Sequence, residues 1–417
     1  MTYNPACKVM KILFVADARS PIAQNWMRHF AARRDEIYIA STFAPPAGLD
    51  FAIGGLETIP VAFSALKKAD QRPGSGSFGR LRSLGRLGTA LGSARALSLR
   101  TAIRQWLGPL TVRGGARRLR GFIDHVQPDL IHAMRIPYEG MISAVALSGM
   151  GRYRDGAPLI VSSWGNDFTL HAPSTRLMRH YTRRTMQVAD ALHADCQRDL
   201  RLAGEWGFSP EKPGLVIPGN GGVRSDIFYP PARPVEEPVV INPRGFRPYV
   251  RNDTFFKAIP LVLARRPDTK FVFASMADRV EAAQWVQELK IGGAVELLPL
   301  LPHRQMAEVF RRAQIVASPS VHDGTPNTLL EGMACGCFPI AGDLESIREW
   351  ITPGENGLLF DAAEPESIAA AILTAIDNRD LRKRAAGFNR EIIAERAEYQ
   401  QNMRRAEEFY EAVKAIA

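Results

Sequence analysis

The chain has 417 residues, of which 46% are hydrophobic and 23% charged, and it carries a formal net charge of +10. This length predicts two or three domains that each bury a core, and the composition is that of a soluble globular protein rather than a disordered or fibrous one. No stretch approaches ~18 uncharged apolar residues, so we expect no membrane span.

The first apolar run, Ile12–Ala16, is too short for the hydrophobic region of a signal peptide and predicts a strand. Cysteines are few and irregularly spaced, which favours reduced thiols in a cytoplasmic protein over zinc sites or disulfides. They are Cys7, Cys196, Cys335 and Cys337.

Short apolar runs alternate with helical segments in the first half, which predicts a doubly wound α/β domain with a parallel sheet. Ligands of such sheets bind beyond the carboxyl ends of the strands. We therefore expect ligand contacts at Ser20 and in the run Trp164, Gly165, Asn166 and Asp167, although Trp164 packed at a sheet edge beside a turn is an equally good interpretation. The predicted strands are Ile12–Ala16, Glu36–Ala40, Leu130–Ala133, Leu159–Ser162, Ala191–Ala194 and Leu215–Pro218.

Residues 67–120 are strongly basic and contain a single acid, Asp70. Leucines recur at helical spacing between Leu81 and Leu91, which predicts a basic amphipathic segment able to lie on an anionic membrane. A solvated basic insertion remains the alternative. No nucleic-acid motif accompanies the charge, so we expect no nucleic-acid partner. The G-x-G-x-x-G pattern over 74–79 follows a polar run in place of a strand, and we interpret it as a linker.

A proline-rich run over 229–238 predicts an interdomain linker. The alternation then restarts with the strands Val239–Asn242, Phe271–Ser275, Val295–Leu298 and Ile315–Ser318, which predict a second doubly wound domain. Arg244, Arg247 and Arg251 follow the first of these strands, where their charge would neutralise a bound diphosphate. The alternative is that these three residues are surface arginines at the start of a helix and bind no ligand.

The most informative stretch runs from Ser318 to Asp343 and predicts a strand, a polar loop and a helix. Thr325 is the predicted N-cap, Pro326 the first helical residue and Gly336 the C-terminal stop. Unpaired backbone N–H groups at Asn327 and Thr328 would then favour a phosphate. Two acids, Asp323 and Glu331, flank this anion site. The arrangement suits a nucleotide sugar, with one acid on sugar hydroxyls and the other on ribose hydroxyls. The structural alternative is that Asp323 is a turn residue and Glu331 an exposed acid on the helix.

Asp323-Gly324-Thr325-Pro326 and Leu330-Glu331-Gly332-Met333-Ala334-Cys335-Gly336 resemble the EGxPxxxLEAMAxG signature of retaining glycosyltransferases of family 4. Asp323 stands where that family usually has Glu. The run from Asn220 to Gly222 is similar to another passage of the family, and Trp164 stands where many members carry a histidine. The resemblance implies an α/β protein with two doubly wound Rossmann-like domains facing across a cleft, the GT-B fold, with the acceptor in the first domain and the donor in the second.

Site residues follow from the same resemblance. It implies catalytic roles for Asp323, Arg244 and Arg251, the last in place of the family's lysine. Donor contacts are expected from Gly324, Thr325, Pro326, Asn327, Thr328, Glu331 and Arg247, and acceptor contacts from Ser20, Trp164, Gly165, Asn166 and Asp167. The expected domains are 1–228, a linker 229–238, 239–395, and a helix 396–417 that packs back on the first domain.

The implied reaction is transfer of a sugar, with retention, from a nucleoside-diphosphate sugar to a polysaccharide, oligosaccharide or lipid-linked acceptor in cell-envelope or exopolysaccharide synthesis. We expect no cofactor, and no metal because no Asp-x-Asp pair follows a strand. The expected location is the cytoplasm, with contact at the inner face of the membrane left open. A nucleotide-sugar 2-epimerase on the same fold and a catalytically silent scaffold remain as alternatives.

Overall fold

The computed structural model describes residues 9–46, 48–62, 64, 102–148 and 156–416. The segment predicted to be amphipathic around Leu81–Leu91 and the glycine-rich run 74–79 lie outside the described residues. The chain divides into two compact units. Described residues up to 64, 102–221 and 403–416 belong to the first unit, and 222–402 belong to the second. The domain limits expected from the sequence stay predictions.

The first unit is built on a seven-stranded sheet in which every neighbouring pair is parallel. Its central strands are buried on both faces, which is why apolar residues dominate them and their few polar residues are buried as well. The strands are β1 Lys11–Ala16, β2 Glu36–Ser41, β3 Gly55–Thr58, β4 Leu130–Ala133, β5 Leu159–Ser163, β6 Ala191–Ala194 and β7 Gly214–Val216, in the order β3-β2-β1-β4-β5-β6-β7. The helices are α1 Pro21–Ala32, α2 Val112–Val126, α3 Met141–Ser148, α4 Arg176–Val188 and α5 Gln197–Glu205.

The second unit repeats this plan with a six-stranded parallel sheet. The strands are β8 Val239–Asn242, β9 Lys270–Phe273, β10 Val295–Leu297, β11 Ile315–Ser318, β12 Phe338–Gly342 and β13 Leu358–Phe360, in the order β10-β9-β8-β11-β12-β13. The helices are α6 Asn252–Leu263, α7 Val280–Glu288, α8 His303–Arg311, α9 Asn327–Ala334, α10 Pro365–Asp377 and α11 Arg379–Arg396. The predicted doubly wound α/β architecture is therefore confirmed for both units.

Each sheet has one point at which the strand order reverses, and loops diverge there to leave a crevice at the carboxyl ends of the strands. In the first unit this point lies between β1 and β4, and in the second between β8 and β11. Ser20 follows β1, whereas Arg244 follows β8 and Asp323 follows β11. The topology thus brings the predicted site residues of each unit to a ligand-binding position.

The last helix is α12 Tyr399–Ile416, and its residues from Met403 onward belong to the first unit. The Tyr410 ring stacks on Phe30 with centroids 4.3 Å apart. Its hydroxyl bonds His132 Nδ1, and the chain continues from His132 Nε2 to Ser162 Oγ (2.8 Å) and on to His193 Nδ1 (2.9 Å). His193 Nε2 ends the chain by donating to the carbonyl oxygen of Ile217 (3.1 Å). Because that carbonyl can only accept, every proton in the chain points from Tyr410 towards Ile217.

Six of the ten predicted strands differ from the structure by one or two residues at an end, and β3 and β12 were not among the predicted strands. Strand β3 is a partly exposed edge strand without an apolar run, so hydrophobic periodicity gives no signal for it. No helix among the described residues is both long and apolar enough to cross a bilayer. Cys196, Cys335 and Cys337 are buried and lie outside any disulfide in the described part of the chain.

Candidate functional site

The N-terminus of α9 differs in detail from the prediction. Helical geometry begins at Asn327, and Pro326 is the N-cap with an extended backbone (φ −78°, ψ 100°). The predicted N-cap at Thr325 is wrong because the helix starts one residue later than predicted, and the Thr325 hydroxyl accepts a hydrogen bond from Trp350 Nε1 (3.1 Å). Trp350 is buried, and its indole N–H needs an acceptor. Asn327 and Thr328 are the first two residues of the helix, where backbone N–H groups have no partner within the helix, and Gly336 follows the helix with φ +87° as expected of a stop.

Arg244 and Asp323 form an ion pair at this helix end, with Nη2 2.5 Å from Oδ2. Nη1 of Arg244 lies 3.4 Å from Thr328 Oγ1 in the first turn of α9. The Arg244 Nε is buried and has no hydrogen-bond partner among the described residues. Arg244 therefore presents a cation and an unused donor where the helix dipole also favours an anion.

Two asparagines hold Arg244 in position, and sequence reasoning did not assign them this role. Asn242 Oδ1 accepts from the Arg244 backbone N–H (3.1 Å), and Asn242 Nδ2 donates to Asn252 Oδ1 (3.0 Å). Asn252 Nδ2 donates in turn to the carbonyl oxygen of Gly245 (2.9 Å), a residue with φ +64°. All of these amides are buried, so the loop that carries Arg244 has a defined conformation.

Glu331 lies on the second turn of α9 and is only 5% exposed. Burial alone raises the pKa of this carboxyl group to about 8. The helix can lie close to β11 because Gly332 faces Val316, where a Cβ would come within 2.9 Å of that side chain. A buried carboxyl group without a compensating cation costs stability and is typical of a functional group.

The other two predicted arginines each contact a residue two positions further along the chain. Arg251 pairs with Asp253 (3.1 Å), which raises the pKa of the arginine. Arg247 is exposed and donates to the hydroxyl of Tyr249 (3.0 Å). Their predicted roles towards a donor stay predictions, and Arg244 is the arginine that the fold places at the helix end.

The first unit has a cavity of about 320 Å³ at the carboxyl ends of β1 and β4. Ser20 and Trp164 line it, as the sequence predicts for acceptor contacts. Ser20 also caps α1, with Oγ accepting from the Ala23 N–H (3.5 Å). The cavity is also lined by residues to which the sequence assigned no acceptor contact, although three of them follow the predicted strand Leu130–Ala133; they include Arg104, Arg135, Tyr138 and Glu139.

Gly165, Asn166 and Asp167 hold the Trp164 loop in place. Asp167 is fully buried, and it accepts from the backbone N–H of Trp164 (3.1 Å) and from Arg135 Nε (2.9 Å). Burial raises the pKa of Asp167 even though Arg135 opposes the effect. Asn166 Oδ1 accepts a second bond from Arg135 (3.0 Å). Asn166 and Asp167 thus orient Arg135, whose guanidinium lies 5.6 Å from the centre of the Trp164 ring.

The Gly165 peptide is held by a buried cluster that sequence reasoning also missed. Its N–H donates to Asp195 (3.2 Å), and its carbonyl accepts from Arg198 (2.7 Å). Within the described part of the chain, Asp195, Cys196 and Asp199 bring potential metal-ligating atoms within 4.8 Å of one another. Because Arg198 pairs with Asp199 at 2.6 Å and supplies the positive charge, we interpret the cluster as support for the loop.

Arg104, Tyr138 and Glu139 form the opposite wall of the cavity. Tyr138 has a strained left-handed backbone (φ +70°), and its hydroxyl donates to the carbonyl of Arg104 (2.6 Å). Burial raises the pKa of Glu139, which accepts a bond from the hydroxyl of Thr42 (2.6 Å). The guanidinium of Arg104 lies over the rings of Phe43 (5.3 Å) and Tyr138 (4.7 Å). Among the described residues Arg104 makes no ion pair, so the wall carries positive charge available to a ligand.

Two family models match the chain. The one described as "Glycosyl transferases group 1" covers residues 223–391, and the one described as "Glycosyl transferase 4-like domain" covers residues 20–219. Together these matches take in both units and both candidate sites.

Curated relatives are distant in sequence. The chain is 25% identical to a D-inositol 3-phosphate glycosyltransferase of Thermobispora bispora, over 47% of this chain and 50% of that protein. It is also 25% identical to the putative glycosyltransferase EpsD of Bacillus subtilis, over 61% of this chain and 69% of that protein. The chain spans about half the length of the first of these relatives, as it does for several others.

Solved structures match almost the whole chain. Sucrose-phosphate synthase from Thermosynechococcus elongatus superposes with a TM-score of 0.69 at 15% identity, covering 98% of this chain and 100% of that one. Anabaena HepE in complex with UDP-glucose superposes with a TM-score of 0.66 at 16% identity, covering 95% of this chain and 99% of that one. At this level of identity the likeness shows the fold, and the predicted GT-B fold is confirmed.

Proposed function

Since the chain belongs to the group 1 glycosyl transferases, we propose that it moves a sugar from a nucleoside-diphosphate sugar to a carbohydrate or lipid-linked acceptor with retention at the anomeric carbon. The observation that carries this proposal is the ion pair of Arg244 with Asp323 at the N-terminus of α9, together with the buried carboxyl group of Glu331 on the second turn of the same helix. Its position at the strand-order reversal of the second sheet is where ligands of such sheets bind.

The diphosphate of the donor binds at Arg244 and at the N–H groups of Asn327 and Thr328. Arg244 contributes its fork of donors, including the unused Nε, and the helix end contributes a fixed partial positive charge. In the free protein Asp323 neutralises Arg244 and holds it against Thr328. When phosphate oxygens take over the guanidinium, the Asp323 carboxylate becomes available to hydroxyls of the transferred sugar.

Departure of the diphosphate is the step that Arg244 assists. Negative charge grows on the bridging phosphate oxygen as the bond to the anomeric carbon breaks, and donors already aimed at that position stabilise it. Asn242 and Asn252 keep the Arg244 loop in place, so the guanidinium needs little reorganisation during the reaction. These groups belong to the chain itself, and our proposal that no metal is required rests on them.

Glu331 recognises the ribose of the donor. Its carboxyl group is buried and mostly protonated near neutral pH because burial raises its pKa to about 8. Two ribose hydroxyls would each donate to a carboxylate, which favours the ionised form. Donor binding should therefore release a proton from Glu331.

The acceptor binds in the cavity of the first unit. Arg104 and Arg135 line this cavity, and Arg135 is held by Asp167. A cavity with this charge suits an acceptor that carries a phosphate or carboxylate close to the receiving hydroxyl. This choice is supported by the relatives named for D-inositol 3-phosphate, since that name describes a phosphorylated polyol. A polysaccharide or lipid-linked acceptor of the cell envelope, met at the inner membrane face, has the same chemistry when it is joined through phosphate.

The activity is tested by incubating the protein with UDP-glucose or GDP-mannose and a phosphorylated polyol, and by reading the products by NMR. We expect transfer from one of these α-linked donors, with the α configuration kept in the product. Arg233→Ala, which changes an exposed arginine of the second unit, serves as the matched control. A β-linked product would refute retention, an epimerised sugar formed without acceptor would support the 2-epimerase, and turnover no higher than that of Arg244→Ala would support a silent scaffold.

A further inference from the structure

A stripe of apolar side chains is exposed on the first unit. Residues 102–107 are helical and lead into a 3-10 turn at Gly108–Thr111. The exposed fractions are 45% for Ile103, 67% for Trp106, 46% for Leu107 and 66% for Leu110. Their spacing places all four on one side, which we call the apolar stripe. An apolar patch of this kind on a globular unit marks an interaction site.

A second surface, the arginine face, lies on α4. Its six residues line one open groove of about 440 Å³ and are Arg176, Arg179, His180, Arg183, Arg184 and Gln187. The helix contains no Asp or Glu, and its other side is buried through Met178, Tyr181 and Met186. Among the described residues no carboxylate pairs with Arg176, Arg179 or Arg183. Unneutralised guanidinium groups on one side of a helix attract a polyanionic partner.

The two surfaces adjoin. Thr175, the N-cap of α4, donates its hydroxyl to the carbonyl oxygen of Gln105 (3.3 Å). Gln105 also bonds His171 just before α4 (3.2 Å). Leu177 in the first turn of α4 is 39% exposed and extends the apolar character towards the arginines. The contact of Thr175 with Gln105 brings the start of α4 beside the segment that carries the apolar stripe, and we treat the apolar stripe and the arginine face together as one docking surface.

We propose that this docking surface rests on an anionic phospholipid bilayer. Tryptophan and leucine side chains enter the interface between headgroups and acyl chains, and arginines bind lipid phosphates beside them. A nucleic acid would use the arginines but would leave the leucine and isoleucine side chains in water. Only the bilayer satisfies both halves of the surface.

The same segment separates the bilayer from the cavity of the first unit. Arg104 and Gln105 line the cavity, whereas Ile103 and Trp106 are exposed on the other side. An acceptor joined through phosphate to a lipid would reach Arg104 directly from the headgroup region. Delivery of a lipid-linked acceptor to Arg104 rests on the proposed function. Binding of the docking surface to a bilayer does not, because it requires neither donor nor acceptor.

The test is co-sedimentation of the full chain with phosphatidylcholine vesicles and with vesicles that also contain phosphatidylglycerol. The first variant changes the arginine face by Arg179→Gln and Arg183→Gln. The second changes the apolar stripe by Trp106→Ser and Leu110→Ser. The control carries Arg233→Gln and Leu300→Ser, at two exposed positions of the second unit. We expect the wild-type chain and the control to bind anionic vesicles ~10-fold or more tightly than either test variant. All six changed positions are exposed, and thermal unfolding checks that each variant folds.

Equal binding to both kinds of vesicle would overturn the proposal. So would test variants that bind like the wild-type chain, because the basic residues of 67–100 are unchanged in all of them and would then carry the association. Arginine-dependent binding to duplex DNA without vesicle binding would identify a nucleic-acid surface instead. Transfer to a water-soluble phosphorylated acceptor, measured without vesicles, keeps a failure of this inference distinct from a failure of the transferase assignment.

Discussion

Replacing Arg244 by alanine is expected to lower kcat by ~100-fold or more, because the leaving diphosphate loses a donor positioned for its developing charge. Arg244 lies 2.5 Å from Asp323 and touches Thr328 at the helix end, so its removal also leaves an Asp323 carboxylate without this partner. Steady-state kinetics with saturating donor measure the loss. Arg244→Lys should recover only part of the rate, since an ammonium keeps the charge but not the planar fork.

A second variant separates chemistry from loop disruption. In the Arg244→Ala/Asp323→Asn protein both charges of the ion pair are absent, so the cost of a lone buried charge is relieved. We expect thermal stability to recover towards that of the wild-type chain while kcat stays low. A double variant that regains most of the wild-type turnover would show that Arg244 acts only by neutralising Asp323 and that transfer does not need the Asp323 carboxylate.

Replacing Glu331 by glutamine is expected to stabilise the second unit and to weaken donor binding by ~10- to 100-fold. The pKa of Glu331 is about 8 in the folded protein, above the value near 4.5 expected of an unfolded chain. The contribution of the Glu331 carboxyl group to the free energy of unfolding is fully present below about pH 4.5 and is lost as the pH rises towards about 8. In this range the unfolded chain releases a proton that the folded chain retains. At pH 7 the loss is on the order of 3 kcal/mol, which the amide avoids.

Denaturant unfolding at about pH 5 and about pH 8 measures this effect. The stability gain of Glu331→Gln should be small at the lower pH and large at the higher one. Glu345→Gln changes an acid of the following loop of the same unit, which is not buried, and provides the matched control. A gain that does not depend on pH would mean that the Glu331 carboxyl group is not held protonated by burial.

Much of the fold could be predicted because parallel strands covered by helices leave continuous apolar runs. Strands β4, β6, β8 and β11 were predicted with the bounds they have in the structure. The stretch from Asp323 to Gly336, which contains α9, was recognised because its glycines, proline and acids stand at fixed spacing. The cap at Thr325 was wrong because the helix begins one residue later, and the bond from Trp350 to the Thr325 hydroxyl joins residues 25 positions apart, which local sequence rules do not predict.

The interactions that define the sites could not be predicted, because they join residues far apart in the sequence. Arg244 and Asp323 are 79 positions apart, and Tyr410 and His132 are 278 apart. Spacing predicts which acid lies on α9, but the burial that raises the pKa of Glu331 depends on packing around the whole helix. The cavity residues Tyr138 and Glu139 follow a short strand without any recognisable motif, and only the topology places them beside Trp164.

The most direct test of the donor site compares the binding of a nucleoside diphosphate with that of its 2′,3′-dideoxy counterpart, using the base that gives the larger thermal shift among UDP and GDP. Calorimetry on the wild-type chain should show the dideoxy compound binding ~10- to 100-fold more weakly, because Glu331 loses two hydroxyl donors. Glu331→Gln should largely abolish that difference. Equal discrimination by the wild-type chain and by Glu331→Gln would contradict the assignment of Glu331, and with it the donor site at the N-terminus of α9.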